Sequence, residues 1–459
     1  MGAFRTPTRE AWEAAARKAL KDRPLEELTR RDPDGLAIAL LYTADDGGEA
    51  LCAPRAADAD GRAWDLRMAV EADSPAEANA EALADLQNGA ASLLLSGAVL
   101  ADPDPLIAAL QGVALELAPV GLGAGLDGPD AANALAVAAK GAPRARLMFH
   151  MDPLSAFAVG GGAPRPIAEH LTLAANTAAR HAGAYPEADF FLASGQVVHE
   201  AGGSNAQELG FAAASALAYL KAGVEAGLPL ERAARGLWLG LTVDAVYFDA
   251  LAKVRALRLI WAGLTAPLGL TLPARIEARS SRRMLAARDP WPNLLRLTAA
   301  GFAGAVGGAE AIVLEGFTRA AGRPDAFARR QARNTQLLLM EEAHLGRVDD
   351  PAAGSWFLDA RSRDLAAAGW AEFRRIEAEG GLAASLLAGA FQARVAEARA
   401  ALETAHAGGG QPLVGVTRFI DPEPRPAPVV PLPTLPAPLG QIAPLSPLPL
   451  VAGLEEAAR

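Results

Sequence analysis

A single cysteine, Cys52, in 459 residues excludes an internal disulfide and with it the usual staple of a small secreted fold. No long basic run is present to neutralise phosphates. Asp and Glu outnumber Lys and Arg by 53 to 43, a formal net charge of −10, and this excludes a nucleic-acid partner. Apolar runs such as ASLLLSGAVL at 91–100 are broken by glycine or charge well short of the roughly 20 residues that span a bilayer, so no membrane segment is expected. The opening MGAFRTPTREAW lacks the apolar centre of a signal peptide, and the expected compartment is the cytoplasm. The six histidines, at 150, 170, 181, 199, 344 and 406, form no tight metal-ligand spacing; HMD at 150–152 is the only close pair. A nucleophilic serine on a G-x-S-x-G elbow is also missing.

What is present is 51% hydrophobic sequence, enough for one barrel-sized domain with appendages or for two to three smaller ones. Apolar strand-like stretches alternate with longer Ala-rich helical stretches, as parallel β/α architectures require. Strands are expected near 64–70, 92–95, 115–118, 146–149, 189–193, 237–241, 275–278 and 311–314. Helices are expected between them, for example from Pro75, which suits a first helical turn, and from Asn205 to Leu220, where the apolar period is near 3.6. Eight such units predict a (β/α)8 TIM-type barrel over 61–410. Periodicity cannot show closure, so a doubly wound open sheet stays open. Residues 1–60 read as a helix near 10–21 followed by an extended arm, and with Trp12, Leu36, Ile38, Leu40 and Leu41 needing another surface they are expected to wrap a partner subunit. Residues 411–459, dense in proline from about Asp421, read as a polyproline-like tail that lies on a surface or stays disordered.

In a β/α barrel the chemistry sits at the C-terminal ends of the strands. The richest polar loop there follows the fifth strand, SGQVVHEAGGSNAQELG, which offers Gln196, His199, Glu200, Ser204 and Asn205. His199 suits a general acid or a hydrogen-bond donor to a carbonyl, or else a histidine satisfied by a neighbouring group, with Ser204 or Asn205 capping the next helix. The glycine runs at 121–128 and 159–164 can cradle a phosphate or serve as plain loops, and neither has full dinucleotide spacing. Gly307-Gly308 suits close helix-to-strand packing. Arg282-Arg283 and Arg329-Arg330 are candidates for an acidic ligand such as a CoA phosphate, or for solvated helix ends. Glu341, Glu342 and His344 are candidates for a pocket rim.

Arg333-Asn334-Thr335-Gln336, then EE at 341–342, Asp350-Pro351 and Gly354-Ser355-Trp356, resemble the RNTQ…EE…DP…GSW segment of the vitamin B12-dependent acyl-CoA mutases. The resemblance is closest to the small subunit of heterodimeric methylmalonyl-CoA mutase. It implies the barrel fold and sets three departures in relief. Active subunits carry W-T-I-R-Q-Y-A-G-F-S-T-A-E-E-S-N, whose tyrosine helps steer radical formation. The matching stretch from Trp64 to Asn79 keeps Arg67 but has Ala69 at the tyrosine position. After the fifth strand the substrate-contacting histidine is matched without gaps by Val197, while V-V-H-E-A-G-G-S matches the small-subunit pattern and makes His199 its histidine. FHMDPLSAFAVGGGAPRPI replaces the T-x-Q-N-D segment that reaches the acyl-CoA, and no D-x-H-x-x-G follows to coordinate cobalt. The resemblance therefore implies a small, non-catalytic subunit that binds no adenosylcobalamin alone and stabilises a large catalytic subunit holding it. The pocket candidates are Arg67, Gln196, His199, Glu200, Asn205, Glu341 and Glu342. Two alternatives are the barrel chain of a split mutase with a separate cobalamin-binding subunit, and a free-standing acyl-CoA-binding or regulatory barrel.

Overall fold

The computed structural model describes residues 7–21, 23–55, 61–100, 102–432 and 437–457; the outer ends of the predicted arm and part of the tail lie outside these. A two-stranded hairpin, β1 (Arg30–Arg31) and β2 (Ala37–Ile38), precedes the main body. Eight parallel strands then follow: β3 (Asp65–Val70), β4 (Ser92–Ser96), β5 (Val120–Gly123), β6 (Leu147–Met151), β7 (Asp189–Ser194), β8 (Leu237–Val243), β9 (Ile276–Ser280) and β10 (Ala311–Val313). They pair in sequence order, and β10 returns to β3 with Ala311 opposite Asp65, so the sheet is a closed barrel. An open sheet is thereby excluded. No helix among the described residues is long and apolar enough to cross a membrane.

Local chemistry sets these elements. β6, β7 and β8 are buried at every position, as strands covered on both faces must be. The helix Pro75–Gln87 starts on Ser74, whose hydroxyl accepts from Glu77 N, with proline in its first turn. The helix Asn205–Glu225 starts on a capping box formed by Ser204 and Gln207. The third strand departs from the sequence reading. Residues 115–118 form turns with Leu117 81% exposed, and the strand is the glycine-rich run just beyond. A Cβ at Gly121 would meet Leu94 at 3.4 Å and the His150 ring at 3.5 Å, ordinary contact distances, so crowding does not explain this glycine. The first glycine run is thus largely strand and a 3-10 turn (Gly125–Asp127) rather than an open phosphate loop. Gly307 packs against a neighbouring helix, not a strand: a Cβ would meet Val254 at 3.0 Å, and Gly308 ends the helix at φ +88°.

The arm divides in two. Residues 30–55 are fastened to their own barrel: Asp32 pairs with the buried Arg361, Asp34 accepts from Ala206 N at 3.2 Å, and Ala53 N donates to Asp350 at 2.7 Å. The helix Arg9–Leu20 buries no residue and is tied back through Arg9–Asp46 at 3.1 Å. The tail also has more structure than its prolines predict. β11 (Arg323–Pro324) pairs antiparallel with β12 (Val429–Val430), and the proline-free end forms a helix, Leu450–Ala457.

Candidate functional site

The barrel lumen is filled by charge. Alternation along β3 and β9 turns Asp65, Arg67, Glu277 and Arg279 inward. Arg67, fully buried, pairs with Glu277 and with Asp65 at 2.6 Å, and its Nε donates to Ser92 at 2.9 Å. Arg279 Nε donates to Glu277 at 2.6 Å. Trp238 from β8 lies between two guanidinium groups, Arg67 at 5.0 Å and Arg275 at 4.9 Å, and its Nε1 donates to Asp189 at 2.7 Å. Burial alone would push the Glu277 carboxyl up, but the Arg279 and Arg67 charges outweigh it and hold the group well below the usual range. His150 ends the ring of lumen groups, with Nδ1 3.9 Å from Glu277. Its backbone is left-handed at φ +45°, and neither ring nitrogen has a hydrogen-bond partner among the described residues. Of this set only Arg67 was singled out from sequence as a pocket residue. Glu277, His150 and Trp238 were missed, although charged residues two apart inside a strand (Asp65/Arg67, Glu277/Arg279) were the available signal.

The predicted loop after the fifth barrel strand, β7, does gather at the C-terminal mouth, but as a packed joint. His199 Nε2 lies 2.9 Å from Ser281 Oγ, and Nδ1 lies 3.7 Å from Glu208. Glu208 is in turn held by Lys253 at 2.5 Å. Burial, followed by the Arg283 and Lys253 charges, pushes the His199 pKa well down, so the imidazole is neutral. Glu200 accepts from Arg282 N at 2.9 Å and Arg283 N at 3.1 Å, joining the β7 and β9 loops; burial pushes its carboxyl up. Gln196 and Asn205 are half-buried at helix starts beside it. Arg282 is engaged by Glu315 at 2.5 Å, Arg283 by the His199 carbonyl at 2.7 Å, and Arg329 by Asp85.

Glu341 and Glu342 do not join this group. They are exposed at the end of the chain's return to the opposite, N-terminal end of the barrel, where Gly346 abuts Ala63 just before β3. The RNTQ segment has a fastening role there: Trp64 Nε1 donates to Gln336 at 3.0 Å, and Arg333 pairs with Asp85 at 2.5 Å. Its DP…GSW continuation secures the arm. Asp350 receives Arg255 at 3.0 Å as well as Ala53 N, and Asp359 receives Leu51 N at 3.1 Å.

The buried histidines carry a pH dependence. Burial pushes the His150 pKa down to about 3, and both it and His199 take up a proton on unfolding below roughly pH 6.5. The unfolded chain then binds more protons, so stability is lost as pH falls, by up to about 1.4 kcal/mol per pH unit for each histidine. Asp152 opposes this: burial pushes its carboxyl up to about 6, so the folded chain holds the extra proton between roughly pH 4 and 6. His150→Gln is expected to flatten the slope of stability against pH between 6.5 and 5 by up to about 1.4 kcal/mol per unit. Urea unfolding at three pH values checks this, and parallel slopes for parent and variant would contradict it.

A closed parallel barrel with a charged, filled lumen and a fastened signature segment defines a (β/α)8 protein of the acyl-CoA mutase type. The methylmalonyl-CoA mutase family model matches residues 104–435, and the chain belongs to that family. It is 36% identical to the methylmalonyl-CoA mutase small subunit of Streptomyces virginiae over 92% of this chain and 73% of that protein. It is 38% identical to the probable small subunit of Mycobacterium tuberculosis, over 84% of this chain and 66% of the relative. With the small subunit of Propionibacterium freudenreichii subsp. shermanii the figures are 32%, 84% and 64%. The chain therefore spans about two thirds to three quarters of the length of these relatives. The backbone groups of Gly161, Ala163, Ala287 and Arg288 are engaged by residues 441–455 of the same chain, so among the described residues this side of the mouth presents no open cradle for the family's B12 cofactor.

Proposed function

We propose that this chain is a non-catalytic barrel subunit that pairs with a large catalytic methylmalonyl-CoA mutase subunit and stabilises it. The observation that carries the reading is the lumen, where Arg67, Glu277 and Trp238 lock one another in the barrel's interior. Beside them Ala69 stands where active relatives are expected to carry a tyrosine. A recess of about 30 Å³ lies beside Ala69, bounded by Glu71, Glu315 and Arg319, and no phenol lines it. The names of the small-subunit relatives support the partnership.

The surface available for that partner is the helix Arg9–Leu20, which places Trp12, Ala16 and Leu20 on one side and buries none of them. Residues 30–55 are held by their own barrel and position this helix. A tagged large subunit should retain this chain through purification at equal stoichiometry, while this chain alone neither isomerises methylmalonyl-CoA nor retains adenosylcobalamin. Turnover by the pure chain would overturn the non-catalytic assignment. Failure to co-purify would overturn the pairing.

A further inference from the structure

The tail is fastened across the barrel mouth by a repeated device. Proline lacks an N–H and holds φ near −65°, so each Pro-Leu step leaves one donor, on the leucine, in a chain with little entropy left to lose. Pro438-Leu439, Pro444-Leu445 and Pro447-Leu448 use it in turn. Leu439 N donates to Gly160 O at 2.8 Å, Leu445 N to Ala158 O at 2.8 Å and Leu448 N to Glu200 O at 2.6 Å. Leu445 and Leu448 are buried as well. Between the first two steps Gln441 makes both of its amide bonds to one residue, accepting from Ala163 N at 3.1 Å and donating to Ala163 O at 2.8 Å.

The barrel is shaped to receive this segment. Gly162 stands at φ +143°, and a Cβ there would lie 2.6 Å from the Gln441 carboxamide oxygen. At the far end the buried Glu455 accepts from Ala287 N at 3.1 Å and Arg288 N at 3.0 Å, and Val451 closes over Ala286. These anchor points follow β6, β7 and β9, and β12 is held by β11 beyond β10, on the opposite side of the ring from β6. The tail therefore joins loops from both sides of the face on which barrel chemistry takes place.

We propose that residues 437–457 are a strap in cis that closes the β6 to β9 side of the barrel's mouth, so that any small ligand or separate domain needing that side must first displace it. The strap stands on its own contacts and does not depend on the subunit reading. Its test uses the full chain with Cys52→Ser, Ala286→Cys added as a thiol beneath Val451, and Gln441→Ala with Glu455→Ala to loosen the strap. Maleimide labelling of the introduced thiol should be at least about 100-fold slower than that of the exposed native Cys52, and at least about 10-fold faster once the strap is loosened. Labelling as fast as Cys52 in the fastened chain, or unchanged labelling after loosening, would overturn the proposal. Hydrogen exchange without the introduced thiol gives a second reading: the Ala287 and Arg288 amides should be protected in the parent and lose that protection in the loosened variant. Equal exchange in both would overturn it.

Discussion

Glu277→Gln is expected to cost about 3–5 kcal/mol of stability, the range for removing one member of a buried ion pair. The substitution changes little volume, so the loss is electrostatic. Arg67, fully buried, would keep Asp65, but Arg279 and the second Arg67 branch would face an amide instead of a carboxylate. Trp238 is the other wall of the same group, and it cannot move to compensate because Asp189 holds its indole N–H. Adding Arg67→Met should then cost less than the sum of the two single losses, because the charge left unpaired by the first change is removed by the second. Urea unfolding of the two single variants and the double variant measures this. A loss below about 1 kcal/mol for Glu277→Gln would mean that the lumen is hydrated and open, and the account of a filled barrel would fail.

Deleting residues 1–28 is expected to weaken association with the large subunit by about 30-fold or more while leaving the barrel's own melting temperature nearly unchanged. An interfacial tryptophan contributes about 2 kcal/mol or more when it fills a partner's pocket, and 1.4 kcal/mol is a tenfold change in affinity. The barrel should not notice, because the helix Arg9–Leu20 buries no residue and its tie to the body, Arg9–Asp46, is a surface pair. Deleting residues 1–55 is a different experiment. It strips Asp32 from the buried Arg361 and Ala53 from Asp350, and a fall in stability is expected from that alone. Binding titrations beside thermal melts separate the two effects.

The barrel was legible because strands covered on both faces must be apolar, and the alternation of such runs with Ala-rich stretches survives without knowledge of closure. The third strand was misplaced because Val120–Gly123 is half glycine, a poor strand by propensity. The loop carrying His199 and Glu200 lies at the mouth, but adjacency in sequence says nothing of Ser281, Glu208 and Lys253, which come from other units and turn that loop into a joint. Glu341 and Glu342 were grouped with it on signature alone, and the helix beginning at Ala326 carries them to the other end of the barrel. Proline content foretold an extended tail. The glycine that receives it, Gly162, lies 279 residues before Gln441, and no local pattern links the two.

Sedimentation velocity of this full chain mixed with a large methylmalonyl-CoA mutase subunit, followed by a thermal melt of the same mixture, tests the subunit account most directly. The account predicts one species at the summed mass, and a large subunit stabilised by roughly 3 kcal/mol when this chain is present at about a hundred times the dissociation constant. Two independent boundaries at micromolar concentrations, with the large subunit's melting temperature unmoved, would contradict it.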